Sequence, residues 1–305
     1  MLLHNELRTP LKLRWKKRSN MLYGMTSYPK TVQLHNNLYV GGGGSDSDLC
    51  TVLKYDQSND TWSKLPRYDC KWFGMSAING YLTVVGGRDI ATYRTSKKVG
   101  VWEPSSQRWT QPYPPMITPR YDPEVTTYNN YLLAAGGNDG FSPLTTVEVL
   151  DVRDGRQWLT VTQLPVLCDL KTSAIIHNNW YVITSTKEVM HCSLPDMCSQ
   201  TTSKSAATET PAQWQRLPDT LLERTTASAL SGSLLTVGGL HDNTASTAIH
   251  LYHPETNTWT EVGNLPTPRY CCSATVLASG ELLVSGGTDQ QYQDTTLVDI
   301  ATIMD

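Results

Sequence analysis

Short apolar runs, each preceded by a polar turn, recur along the whole chain. Five of these runs lead into a pair of glycines, and they are residues 37–40, 81–85, 131–135, 234–237 and 281–285. Runs of this length that are rich in β-branched and aromatic residues and stop at glycine are typical of buried strands. Turns such as Asn79-Gly80 ahead of the runs indicate hairpins. The pattern therefore predicts a protein made of short antiparallel strands.

A second alternating run follows most glycine pairs after a variable polar loop, and a tryptophan follows that run after a tight turn. The aromatic pairs that bracket this turn are seven residues apart in three units: Tyr55 and Trp62, Trp102 and Trp109, and Tyr252 and Trp259. The turns consist of Pro, Asn, Ser and Asp, which suit two-strand connections. Each unit is therefore predicted to hold four short antiparallel strands, with the tryptophans packing between neighbouring units.

The glycine pairs, which begin at residues 42, 86, 136, 238 and 286, are separated by steps of 44, 50, 102 and 48 residues. A fixed period of this size indicates a repeat architecture. Because the long step is about twice the others, a sixth unit without glycines is predicted near residue 184. Within it, residues 193–212 are rich in Ser, Thr and Ala and are predicted to form a mobile inserted loop.

The two ends of the chain complement each other. The last unit stops at Asp305 without an outer tryptophan, whereas residues 11–15, which end at Trp15, match the outer-strand pattern. A strand donated by residues 1–18 would complete the last sheet and remove its open edge. The sequence thus predicts a single all-β domain over residues 1–305, a six-bladed β-propeller with four antiparallel strands per blade, closed by an N-terminal outer strand.

The glycine pair after an apolar strand, followed by Tyr or Trp and then by Trp seven residues later, resembles the kelch repeat. The likeness covers essentially the whole chain and is closest to the kelch domains of BTB–kelch substrate adaptors of cullin ubiquitin ligases. No long helical pattern corresponds to a BTB or BACK segment. The chain is therefore expected to be either a free-standing propeller or the substrate-binding part of a longer protein, with cullin-ligase components as partners in the second case.

Composition narrows the functional classes. The net charge of −3 over 305 residues gives no general reason to bind nucleic acid or acidic membranes, and the basic residues between Lys12 and Arg18 are expected on the exposed side of the closing strand. Seven cysteines without paired spacing favour a reduced, cytoplasmic protein. Neither a signal peptide nor a membrane-spanning run is expected.

No recognisable active site emerges from the sequence. His241, His250 and His253 fall on a loop, within a strand and just after it, so they are not expected to converge on a metal ion. The Gly-rich segment 41–44 lacks the lysine and the helix of a phosphate-binding loop. The expectation is a non-enzymatic protein with no cofactor and no metal.

Blade-joining loops and the loops after the glycine pairs should share one face of such a ring, and both sets are rich in Arg and Tyr. The predicted partner-binding residues are Arg67, Tyr68, Arg88, Arg120, Tyr121, Arg224, Arg269, Tyr270 and Tyr292. Arginine and tyrosine dominate binding hot spots because one forks onto carboxylates and the other offers rigid amphipathic area. The alternative left open is that arginines such as Arg67, Arg120 and Arg269 instead support the fold by bonding to neighbouring carbonyls.

The resemblance to BTB–kelch adaptors implies that these loops receive an acidic or phosphorylated peptide. The sequence therefore favours a protein-interaction module, either a ubiquitin-ligase substrate adaptor or a scaffold. The alternative is a small-molecule-binding or catalytic propeller of the sialic-acid epimerase or galactose oxidase type. A deep cavity with converging titratable groups would favour this alternative, whereas a broad, shallow surface would favour a protein ligand.

Overall fold

Strand pairing divides the molecule into six four-stranded antiparallel sheets. The computed structural model describes residues 10–25, 28–42, 50–167, 170–201 and 212–304. The first strand of each blade contacts the first strands of the two neighbouring blades, so these six strands surround a central channel. This confirms the predicted six-bladed β-propeller. Gly43, Cys168 and residues 1–9 and 202–211 lie outside the described residues.

The strands follow the chain blade by blade. Strand β1 is Lys12–Lys17, and blade 1 consists of β2 (Lys30–Leu34), β3 (Asn37–Gly41), β4 (Leu53–Asp56) and β5 (Thr61–Lys64). After β6 (Cys70–Lys71), blade 2 consists of β7 (Gly74–Ile78), β8 (Tyr81–Val85), β10 (Val99–Glu103) and β11 (Arg108–Thr110), while β9 (Arg88–Asp89) pairs with β6. Blade 3 consists of β12 (Glu124–Tyr128), β13 (Tyr131–Ala135), β14 (Thr146–Asp151) and β15 (Trp158–Gln163).

The second half repeats this arrangement. Blade 4 consists of β16 (Leu170–Ile176), β17 (Asn179–Thr184), β18 (Val189–Ser193) and β19 (Gln215–Leu217), with helix α1 (Leu194–Ser199) between its last two strands. Blade 5 consists of β20 (Thr226–Leu230), β21 (Ser233–Val237), β24 (Ala248–His253) and β25 (Thr258–Asn264), and its loop carries the pair β22 (Leu240–His241) and β23 (Thr244–Ala245). Blade 6 consists of β26 (Ser273–Val276), β27 (Leu282–Ser285), β28 (Val298–Met304) and β1.

Closure of the ring is achieved by β1, as predicted. It pairs antiparallel with β28 from Lys12 opposite Met304 to Lys17 opposite Asp299. Leu13 and Trp15 pack against the apolar core between blades 5 and 6, whereas Lys12, Arg14 and Lys16, which alternate with them, are exposed. This alternation is that of a strand with one buried face, so the N-terminal strand joins the last blade to the rest of the ring.

The outer tryptophans connect neighbouring blades, as the sequence predicted. In blades 1, 2, 3, 5 and 6 the indole Nε1 donates to a backbone carbonyl where the preceding blade ends, whereas Nε1 of Trp214 in blade 4 is buried without such a partner. The bonds run from Trp15 to Asn264 (2.9 Å), Trp62 to Ser19 (2.9 Å), Trp109 to Pro66 (2.8 Å), Trp158 to Pro114 (3.0 Å) and Trp259 to Pro218 (3.1 Å). A buried indole N–H needs such a partner, so these residues serve the contact between blades.

Blade 4 departs from the sequence-based expectation. Residues 193–212 were predicted to be a mobile loop, but Ser193 ends β18 and its hydroxyl accepts a hydrogen bond from the Asp196 N–H (3.3 Å) at the start of α1. Leu194 and Met197 are 0% exposed and belong to the core beside blade 3. The prediction was therefore wrong for residues 194–199, because the apolar side chains within this segment are buried by the helix against the core.

The closure makes a prediction about stability. Deletion of residues 1–18 should lower the midpoint of thermal unfolding by roughly 10 °C, because blade 6 loses its outer strand and the core loses Leu13 and Trp15. The Lys12→Ala, Lys16→Ala double variant changes only exposed positions of the same strand and should unfold within about 1 °C of wild type. Equal midpoints for the deletion variant and wild type would contradict closure by β1.

Candidate partner-binding face

Two sets of loops meet at one end of the ring, and their backbones pair with each other. The loop that joins two blades pairs with the loop after the glycine pair in four places: Cys70–Lys71 with Arg88–Asp89, Tyr121 with Asn138, Glu223 with Leu240, and Tyr270 with Thr288. We call this end of the propeller the loop face. Because the loops are hydrogen-bonded to one another, the face is a continuous surface rather than a set of independent loops.

A ring of left-handed residues surrounds the channel on the loop face. Each of them lies two residues before the innermost strand of its blade. Their φ angles are 59° at Tyr28, 55° at Trp72, 54° at Asp122, 50° at Arg224 and 51° at Cys271. We call these five residues the mouth ring. Non-glycine residues in this region cost about 1–3 kcal/mol each and cluster at functional sites.

Backbone hydrogen bonds connect the mouth ring from blade to blade. The Tyr28 N–H donates to the Cys271 carbonyl (3.3 Å), and the Cys271 N–H donates to the Arg224 carbonyl (3.1 Å). On the other side of the channel the Asp122 N–H donates to the Trp72 carbonyl (2.6 Å). These bonds offset the backbone strain of the left-handed conformations and fix the positions of the mouth-ring residues at the channel entrance.

The channel below the mouth ring holds ion pairs that link separate blades. Lys30 forms an ion pair with Glu124 and donates to the Lys171 carbonyl (2.9 Å), and Ser173 donates to the other oxygen of Glu124 (2.8 Å). The ammonium of Lys171 lies 2.5 Å from Asp122 Oδ2. The cavity that Lys30, Glu124 and Lys171 line has a volume of about 100 Å³. Its titratable groups are therefore engaged with each other across a narrow space.

The nine predicted partner-binding residues divide by exposure. Arg67, Arg224 and Tyr292 are exposed, Arg88 and Tyr121 are half-buried, and Tyr68, Arg120, Arg269 and Tyr270 are buried. The Arg88 Nε donates to the Tyr93 carbonyl (2.9 Å) and supports its own loop. Tyr121 packs against Trp72 of the mouth ring with ring centroids 5.7 Å apart. Five of the nine thus remain accessible.

Arg120 and Arg269 do not face a ligand, contrary to one of the two expectations. Both are 0% exposed. Arg120 donates to the carbonyls of Gly136 (2.9 Å) and Thr146 (3.0 Å) and forms an ion pair with Glu148. Burial lowers the pKa of Arg120, and the charge of Glu148 opposes this shift. Arg269 forms the corresponding ion pair with Asp299. These two arginines support the fold, which is the alternative left open above.

An acid on the third strand decides which arginine is buried. Glu148 pairs with Ala134 and Asp299 with Val284, two residues before the glycine pair of blades 3 and 6. Gly100 occupies this position in blade 2, and a Cβ there would lie 2.6 Å from the ring of Tyr68. Tyr68 therefore fills in blade 2 the space that an arginine fills elsewhere, and its neighbour Arg67 is left on the surface.

The two buried tyrosines of the predicted set, Tyr68 and Tyr270, are not exposed for contact with a peptide. Tyr68 is 5% exposed and packs against Phe73 and Trp109, with centroid separations of 5.7 and 5.2 Å. Burial raises its pKa above the ordinary range. Tyr270 is also 5% exposed and lies in a small apolar cluster with Leu240. Their residue type alone had suggested a binding role, whereas their position next to the blade edge gives them a packing role.

Three exposed aromatic residues at loop tips complete the loop face. They are Tyr93 (65% exposed), Phe141 (98%) and Tyr292 (68%), in blades 2, 3 and 6. In each of these loops an aspartate two residues after the glycine pair accepts backbone N–H bonds that shape the turn, as Asp139 does from Phe141 (2.7 Å) and Ser142 (2.8 Å). These aspartates thus hold the aromatic residues in place. Tyr93 and Phe141 are not among the predicted partner-binding residues, whereas Tyr292 is.

Within the described residues no group of three or more His, Cys, Asp or Glu side chains is placed to hold a metal ion. The described part of the chain also contains no helix of sufficient length and apolar character to cross a membrane. His250 lies in β24 at 5% exposure, and burial lowers its pKa.

These features define the class of protein as a six-bladed β-propeller, and comparison with known proteins identifies the repeat. Profiles of the kelch motif match residues 25–67, 119–165 and 222–266, which correspond to blades 1, 3 and 5. A solved structure described as the structure of YjhT superposes with a TM-score of 0.74 at 14% identity, covering 94% of this chain and 99% of that one. The protein is a kelch-repeat β-propeller.

Sequence relatives share the repeat and are longer. Human kelch-like protein 23 is 23% identical over 82% of this chain and 43% of its own length. Human kelch repeat and BTB domain-containing protein 2 is 25% identical over 60% of this chain and 30% of its own length, and the cowpox virus protein named kelch repeat and BTB domain-containing protein 1 is 23% identical over 91% and 48%. The chain therefore spans less than half the length of these curated relatives.

The buried arginine makes a prediction about stability. Arg120→Ala should lower the free energy of unfolding by about 3–5 kcal/mol, because Glu148 is left buried without its cation. Arg108→Ala removes the same side chain from an exposed position and should change the free energy of unfolding by no more than about 0.5 kcal/mol. Urea denaturation measures both. The Arg120→Met, Glu148→Leu double variant should recover much of the loss, and an Arg120→Ala variant as stable as wild type would refute the structural role.

Proposed function

We propose that the protein is an interaction module whose loop face recognises a segment of a protein partner, acidic in character. The observation that carries this proposal is the set of three exposed aromatic tips, of which Phe141 is 98% exposed. Aromatic side chains are enriched at protein interfaces and among the residues that dominate binding energy. Aromatic residues held in fixed loops also lose little conformational entropy on binding.

Charge on the loop face supports an acidic ligand. Arg67 and Arg224 are exposed, and no ion pair joins Arg224 to any described residue. Arg224 belongs to the mouth ring, so its backbone is fixed and its guanidinium starts at the channel entrance. An arginine presented in this way suits a carboxylate or a phosphate, which it can bind with two parallel hydrogen bonds.

The channel supports a protein ligand over a small-molecule substrate. Its cavity of about 100 Å³ is smaller than the roughly 300–1,000 Å³ typical of small-molecule sites. Lys30, Glu124 and Lys171, which line this cavity, are already paired within the protein. A partner would therefore bind across the mouth rather than enter the channel, and the proposed function requires no cofactor.

We propose further that the protein acts as a substrate adaptor or a scaffold. The resemblance to the kelch domains of BTB–kelch adaptors and the similarity to two proteins named for kelch repeats and a BTB domain support recognition of a ubiquitin-ligase substrate. In this role the propeller supplies the substrate-binding surface, and cullin-ligase components contact other parts of a longer chain.

A matched pair of variants tests the loop face. The face variant, Arg67→Ala, Arg224→Ala, Tyr292→Ser, removes two arginines and one tyrosine that are exposed there. The control variant, Arg108→Ala, Arg156→Ala, Tyr81→Ser, removes the same residue types at the opposite end of the blades, where they are also exposed. In quantitative affinity capture from lysate, we expect partners that the wild type and the control retain and the face variant loses.

Binding of one such partner should then weaken at least about tenfold in the face variant, since hot-spot residues contribute more than about 1 kcal/mol each. Equal capture by all three forms would sink the proposal, and so would equal loss from both variants. Thermal unfolding of the two variants at the wild-type midpoint confirms that a lost partner reflects lost contacts.

A further inference from the structure

A second, basic groove lies away from the channel, at the rim of blade 2. It runs between the loop after the glycine pair of this blade and the connection to blade 3, and it has a volume of about 540 Å³. Arg94, Lys97 and Lys98 line it and are exposed. The hydroxyls of Thr92, Thr95 and Ser96 and the amide of Gln111 also line it. The groove thus combines three cations with neutral hydrogen-bonding groups.

The three cations are not held in ion pairs within the described residues. Asp89 is the one acid among the lining residues, and its carboxylate accepts hydrogen bonds from the Ala91 N–H (3.1 Å) and the Thr92 N–H (2.9 Å). The lining therefore carries a net charge of +2 in a protein whose net charge is −3.

The shape of the groove is fixed by backbone contacts on both sides. The Met116 N–H donates to the Lys97 carbonyl (2.8 Å), which joins the two walls, and the Lys98 N–H donates to Ser96 Oγ (3.1 Å). A Cβ on Gly140 would lie 2.9 Å from Thr95 Oγ1, so the loop that carries Phe141 closes against the same groove. An exposed aromatic tip and an open basic groove are thus neighbours.

We propose that this groove binds a short anionic stretch of a protein segment, in which carboxylates or phosphorylated hydroxyls of two or three side chains reach Arg94, Lys97 and Lys98. The volume falls in the range of ligand sites and suits a few residues. A long polyanion such as nucleic acid fits less well, because Asp89 and Asp139 lie on the adjoining loops and a long strand requires an extended basic track.

Synthetic peptides test the groove on the full chain by fluorescence anisotropy. Three labelled Gly-Ser peptides are compared, carrying three Glu, three phosphoserine or three Gln residues, and a thymidine oligonucleotide serves as the nucleic-acid probe. At low salt we expect at least one anionic peptide to bind and the Gln peptide not to bind. The affinity should fall as salt is raised, because exposed charges are screened.

Charge-matched variants locate the binding. The groove variant, Arg94→Gln, Lys97→Gln, Lys98→Gln, should bind the anionic peptide about tenfold more weakly, since three exposed pairs each contribute up to about 1 kcal/mol. The β1 variant, Lys12→Gln, Arg14→Gln, Lys16→Gln, removes the same charge from the closing strand. Its affinity for the anionic peptide should stay within about twofold of wild type. The preferred peptide distinguishes carboxylates from phosphates as the source of the anion.

Four outcomes would overturn the proposed groove site. Neither anionic peptide binds, or the affinity for them is unchanged in the groove variant. Alternatively, the groove and β1 variants lose affinity equally, or the oligonucleotide binds more tightly than both anionic peptides. The inference does not rest on the function proposed for the channel mouth. The groove variant and its control leave Arg67, Arg224 and Tyr292 unchanged, so the two proposals fail separately.

Discussion

The glycine pair is the point at which one blade contacts the next, and the arrangement of the loop face depends on it. A Cβ on Gly86 would lie 2.2 Å from the Arg120 carbonyl oxygen of the connection to blade 3, and the Gly87 N–H donates to that same oxygen (2.9 Å). Gly238 and Gly239 make the same two contacts with the Arg269 carbonyl between blades 5 and 6. Only glycine allows this approach, so the repeat of the pair along the sequence reflects a contact between blades.

This contact also explains why the loop face can present side chains at fixed positions. The connection that covers the glycine pair continues into the mouth ring, where Asp122 and Cys271 hold left-handed conformations. Strain of this kind persists when surrounding structure determines it, and here the blade-to-blade hydrogen bonds do so. A surface with fixed arginine and aromatic positions binds with a smaller entropic cost than mobile loops would.

The sequence was sufficient to predict the blades, their number and the closing strand, because strand periodicity and glycine spacing are local signals that repeat. The mouth ring could also be predicted from the sequence, since its residues lie 14 positions before the first glycine of the pair in four units and 15 positions before it in the fifth. The burial of Arg120 was harder to predict because it depends on a residue of another strand. Glu148 within the run Val147-Glu148-Val149 was the available signal, since an acid in an apolar strand requires a buried cation.

The same reasoning separates arginines that share a sequence context. Arg67 and Arg120 both follow proline in a connection between blades, yet the third strand of blade 2 offers Gly100 where blade 3 offers Glu148. Without a carboxylate, burying an arginine would cost several kcal/mol, so an apolar ring takes the space and the charge stays at the surface. A blade of this propeller can therefore exchange a structural arginine for an exposed one by changing a residue on a different strand. Surface charge on the loop face is thus determined partly by positions that never reach it.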